Sequence, residues 1–204
     1  MAETVVDGTL YRVDSLIANH TILVCHIGRY LRDCLEFIAG KPITTLEIPA
    51  MDRAREPILA FTQRLVETVF PVPENARFHL HVFECPTGEI VLCAIGLRLG
   101  GGAINDAVAA SSGTDILASF LKKKTGMSVD VPPYLKPSAI LSGRMMVPAQ
   151  SGSLVNMPTT CPIAGVTLVR TYGKRGQFFS ASTMTNAKIT SIVFVALQCL
   201  APHS

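Results

Sequence analysis

The apolar positions along this chain change period several times, and each change predicts an element. Thr9 to Val13 and Thr21 to Cys25 alternate as strands do, whereas Ile27, Leu31, Cys34, Leu35 and Ile38 recur at helical spacing and predict a helix over Arg29 to Ala39 that Gly40 ends. A short strand, Ile43 to Ile48, leads to a second helix that Pro57 opens and Pro71 closes after Phe70, with Ile58, Phe61, Leu65, Val66 and Val69 as its buried stripe. Arg77 to Cys85 and Ile90 to Leu99 form the clearest hairpin. With Thr87-Gly88 at its tip, opposed residues sum to 175, so that His79, His81 and Cys85 share a face and Cys93 takes the other.

Beyond Gly100-Gly101-Gly102, a helix over Ala103 to Ala110 breaks at Ser111-Ser112-Gly113. Ser112 with Asp115 reads as a capping box for a new helix carrying Ile116, Leu117, Phe120 and Leu121, with Lys122, Lys123 and Lys124 in its last turn. Strands then dominate: Val129 to Val131, Ala139 to Val147, Val166 to Tyr172, Gln177 to Thr185 and Lys188 to Gln198, the last three spaced as a meander, with Gln150 to Gly165 as a long loop. The expected fold class is α+β. Residues 1–204 make a single domain of N-terminal helices and strands, a central β-hairpin and a C-terminal antiparallel β-meander.

Composition places the chain among globular proteins with an apolar excess. Hydrophobic residues are 49% and charged residues 16% of 204, and the mean hydropathy is +0.38, which favours self-association. No basic start with an apolar run marks a secretory signal, and the longest apolar stretch, Ile189 to Pro202, is short for a membrane helix. The expected location is intracellular, in cytoplasm, nucleus or virion, with the six cysteines reduced and buried. In a reducing compartment the Asn19-His20-Thr21 sequon has no role.

The motifs fit poorly. A Rossmann turn starting at Gly100 needs glycine where Asn105 stands, and no Walker lysine follows Gly102, so the triglycine reads as a close-packed turn. His79, His81, Cys85 and Cys93 lack a convergent fourth ligand for zinc, and the two histidines read as a partly exposed pair on a sheet face. Ser119 and Lys122 match Ser-x-x-Lys, yet Lys124-Thr125-Gly126 overlaps the same helix end and no Ser-Asp-Asn exists. No Gly-x-Ser-x-Gly is present, and Cys25 and His26 point to opposite sides of a strand. Asp106 and Asp115 read as capping groups, and Pro132-Pro133-Tyr134 as an extended connection. No catalytic residue, metal ligand or cofactor follows from these patterns.

Charge is the strongest signal. All 15 Asp and Glu lie within residues 1–130, which carry 12 of the 18 Lys and Arg, and residues 131–204 hold the other six bases and no acid. The two regions therefore differ as -3 against +6. An acidic, helix-containing region over residues 1–130 precedes a basic, β-rich region over residues 131–204, which points to an anionic partner, nucleic acid or an anionic membrane surface. The expected contact is Arg170, Tyr172, Lys174, Arg175, Phe178 and Lys188, centred on a turn at Gly173 to Gly176. The leading expectation is a non-enzymatic, self-associating protein of viral matrix or coat type, with copies of itself as a further partner. The alternative is an enzyme whose site gathers residues distant in sequence, with His79, His81 and Asp106 as candidates.

Overall fold

A computed structural model describes residues 5–32, 34–101, 103–129, 140–148, 168–172 and 191–199, the last two stretches as backbone. In chain order the elements are β1 (Thr9–Ala18), β2 (Thr21–Tyr30), α1 (Cys34–Ile38), β3 (Ile43–Glu47), α2 (Arg55–Arg64) running into a π-helical turn (Leu65–Val69), β4 (Ala76–Glu84), β5 (Ile90–Gly96), α3 (Ile104–Ser112), α4 (Ile116–Lys124), β6 (Ile140–Pro148), β7 (Leu168–Tyr172) and β8 (Ser191–Cys199). The eight strands form one sheet in the order β5-β4-β1-β2-β3-β6-β8-β7, and every pairing is antiparallel. Helices and an antiparallel sheet thus give the α+β character that the periodicities predict. Among the described strands, β8 lies between β6 and β7. The expected strand Gln177 to Thr185 and the loop Gln150 to Gly165 lie outside the described residues.

One face of the sheet is apolar because alternate residues of neighbouring strands agree. Val13 and Ile17 on β1 meet Ile27 on β2 and Phe78 and Leu80 on β4, and α2 covers them with Ile58 and Leu59, all at most 6% exposed. The other face is apolar only at one end. There Leu16 and Val24 pack under Ile104 and Val108 of α3 and Ile116 of α4. Ser142 on β6 donates to the carbonyl of Ala107 at 2.7 Å, tying α3 to the sheet.

Several elements differ from the sequence reading. The helix expected over Arg29 to Ala39 is divided: β2 continues to Tyr30, and α1 is a short helix whose Leu35 and Ile38 are exposed. Pairing to β1 and β3 satisfies the β2 backbone, a gain that local helical spacing does not register. Asn19 and His20, with φ of 51° and 59°, form the two-residue turn between β1 and β2. In the π-helical turn, Phe70 N–H reaches the Leu65 carbonyl at 2.7 Å, and the wider repeat leaves Val69 in solvent instead of in the stripe. Ser112 ends α3, and the cap of α4 is Asp115, whose carboxylate accepts from Ala118 N–H at 2.9 Å.

The hairpin holds the expected register only along its inner end. His79 faces Gly96 and His81 faces Ala94, but nearer the turn Val82 faces Leu92 and Glu84 faces Ile90. The one-residue shift comes at Cys93, which is exposed rather than buried, and the turn spans Cys85 to Glu89. Cys25, by contrast, is buried as expected.

Candidate functional site: a buried ionic network on the sheet

The half of the second face that α3 and α4 leave uncovered is polar. Cross-strand pairing places Ala94, His81, Arg12, Gly28 and Glu47 in one line across five strands, and Gly96, His79, Asp14 and His26 in the next. Arg12 lies at 0% exposure. Its guanidinium donates to Asp14 Oδ2 at 2.5 Å, to Glu47 Oε1, and through Nε to Thr45 Oγ1 at 3.4 Å. To reach β3 the side chain crosses Gly28, where an added Cβ would stand 2.7 Å from the guanidinium carbon. Glycine at 28 is therefore a packing requirement of the ion pair.

A second chain of hydrogen bonds leads outward. Asp14 Oδ1 contacts His79 Nδ1 at 2.8 Å, His79 Nε2 contacts His81 Nε2 at 2.8 Å, and His81 Nε2 contacts the Tyr30 hydroxyl at 3.1 Å. Only one proton can lie between the two Nε2 atoms, so one ring donates and the other accepts. Tyr30 also bonds Arg144, a buried residue of β6 that faces Thr45. Gly100 closes over the inner end, and a Cβ there would meet Asp14 Oδ1 and Ile104 Cδ1 at 2.7 Å and His79 Nδ1 at 2.8 Å. The outer end is open: His81 is half-buried beside the exposed Ala94.

The electrostatics follow from burial opposed by partners. Burial works against ionisation of Asp14, but Arg12 and His79 outweigh it and hold the carboxyl at about 2. For Glu47 burial outweighs Arg12 and moves the carboxyl upward, so Asp14 is the firmly ionised partner. Arg12 is held protonated, since Glu47 and Asp14 together overcome its desolvation. Burial first, and then the adjoining His79 and Arg12 respectively, lowers His81 and His26 to about 4, which leaves both neutral near neutral pH.

Of the candidates read from sequence, His79 and His81 do come together on the sheet face, His79 buried and His81 half-buried, and both belong to a wider network. Their chain runs to Asp14, not to Asp106, which sits in the first turn of α3. Arg12, Asp14, Tyr30, Glu47 and Arg144 were not legible as site residues; the one signal was a pair of opposite charges inside an apolar strand. Of the expected anion contact, Arg170 and Tyr172 lie on β7, described as backbone, while Lys174, Arg175, Phe178 and Lys188 lie outside the described residues. A groove of about 710 Å³ between His20 and the segment from Val66 to Val72 shares no residue with the network.

The fold is similar to that of solved ligase, synthetase and carboxylase chains. No family model and no curated protein matches the chain by sequence, but 118 solved chains match by structure. The L-amino acid ligase from Bacillus licheniformis superposes with a TM-score of 0.58 at 14% identity, over 96% of this chain and 50% of that one. Phosphoribosylglycinamide synthetase from Anaerococcus prevotii gives 0.62 at 8% identity, over 95% and 49%. The biotin carboxylase domain of the 2-oxoglutarate carboxylase from Hydrogenobacter thermophilus, solved with MgADP, ADP and bicarbonate, gives 0.55 at 10% identity, over 98% and 43%. The chain thus spans about half the length of these neighbours. They overturn the expectation of a non-enzymatic matrix or coat protein, because the sheet and helices recur in ligases and carboxylases. The charge split and apolar excess behind that expectation describe a surface and a core, not a fold. Among the described residues no helix is long and apolar enough to cross a membrane.

Proposed function

We propose that this chain is the nucleotide-handling sheet of an ATP-dependent enzyme that joins a carboxylate or bicarbonate to a nitrogen nucleophile. The observation that carries the reading is the structural correspondence of nearly the whole chain with about half of a ligase, a synthetase and a carboxylase domain, at TM-scores of 0.58, 0.62 and 0.55. The polar face supports it. An ion pair buried at this depth costs more in desolvation than an apolar pair of similar size, so its presence on one face favours a role beyond packing. His81, neutral and at the accessible end of the chain through His79 to Asp14, offers a ligand an uncharged ring for hydrogen bonding.

Calorimetric titration of the full chain with ADP and with ATP tests the reading, with single-stranded RNA and anionic vesicles as comparison ligands. Saturable nucleotide binding, and ADP formation that appears only when a carboxylate and an amine are both supplied, are the expected results. A folded protein that binds RNA or vesicles but neither nucleotide would refute it. His81→Ala should weaken nucleotide binding in the same titration.

A further inference from the structure

A divalent cation is the group that this fold implies, since the carboxylase neighbour was solved with MgADP. The residues present do not fit one. The described strands carry three carboxylates: Asp14, Glu47 and Glu84. Glu84 pairs with Thr9 on the apolar face, where it accepts from the Tyr11 hydroxyl at 3.1 Å. Asp14 and Glu47 share the polar face, and both are bound to the same guanidinium. The strands β6, β7 and β8, and everything else after residue 130, contain no Asp or Glu at all. Among the described residues no group of three or more His, Cys, Asp or Glu is arranged to hold a metal.

We infer that this sheet holds no divalent cation, and that protein cations fixed in the fold, Arg12 first among them, do the charge compensation on its polar face. Magnesium needs oxygen ligands in near-octahedral array and commonly takes one or two carboxylates. Here the two available carboxylates already close around a guanidinium that cannot deprotonate, at 0% exposure and under Gly28. A metal entering between them would meet that charge at contact distance, in a medium that screens little. An anionic ligand, a nucleoside diphosphate in the proposed function, therefore meets this face at its open end beside His81 without a bridging metal, Arg12 acting through the network rather than by contact. The ligand rests on the proposed function; the exclusion of the metal does not.

Two titrations of the full chain separate these points. In the first, Mn²⁺ is added without nucleotide and its free-ion electron paramagnetic resonance signal is followed. The expected signal equals that of buffer alone, and stoichiometric loss of signal that Glu47→Gln abolishes would overturn the inference. In the second, ADP is titrated in excess Mg²⁺ and again in EDTA. Equal affinities support metal-independent recognition, and tighter binding in Mg²⁺ overturns it. If ADP binds in neither buffer, the nucleotide reading fails while the Mn²⁺ titration still decides the metal.

Discussion

Replacing Arg12 by Met removes the charge at the centre of the network and keeps most of the side-chain volume. Two carboxyls then remain in the sheet without their guanidinium, and breaking a buried pair in this way costs about 3–5 kcal/mol. The Asp14 share can be worked separately. Its carboxyl moves from 3.8 to about 2 in the folded chain, which corresponds to about 2 kcal/mol at one pKa unit per 1.36 kcal/mol. A carboxyl depressed on folding stabilises above its unfolded value, and the effect is lost as pH falls through the folded one. Without Arg12, the burial of Glu47 loses its main opposition and that of Asp14 is opposed chiefly by His79, so both carboxyls move upward and destabilise the fold more as pH rises. The difference between wild type and variant is therefore largest near neutral pH and shrinks toward the carboxyl range. Urea unfolding followed by circular dichroism, at pH ~7.5 and pH ~5, measures it. The combined variant Arg12→Met, Asp14→Asn, Glu47→Leu should recover most of the loss, because the asparagine amide still offers His79 an acceptor and no charge is left unpaired. A loss below about 1 kcal/mol near neutral pH, or one that does not change with pH, would refute the reasoning.

Three further outcomes follow from the same geometry. Gly100→Ala drives a Cβ to within 2.8 Å of Asp14, His79 and Ile104, and should lower stability by about 1–3 kcal/mol in thermal unfolding. His81 and His26, each lowered from 6.5 to about 4, should stay neutral to well below pH ~6 in an NMR titration of their ring protons. The unfolded chain takes up those protons first, so the two rings make stability fall as pH drops from about 6.5 toward 4. Asp115→Ala removes the acceptor for Ala118 N–H at the start of α4 and should cost about 1 kcal/mol in urea unfolding.

Local pattern determined much of this protein. Period and breakers placed the strand at Ile43, the helix ending before Pro71, the hairpin around Gly88 and the helix of Ile116 and Phe120, because in each the buried face is written at the repeat of the element itself. Composition determined that no acid stands beyond residue 130. The tertiary structure decided the rest. Leu31, Leu35 and Ile38 have helical spacing, yet β2 claims the chain as far as Tyr30, since a strand flanked by two partners satisfies its backbone along both edges. The strand read from the sequence stops at Val13, with Arg12 inside it and Asp14 just beyond. They are interior to β1 only because Glu47 and His79 stand opposite, 35 and 65 residues from the groups they bind. Strand order brings those residues together, and strand order is set by which faces can be buried against each other over the whole sheet. A charge tolerated at zero exposure depends on partners that no local window contains, so the fold alone could reveal the network.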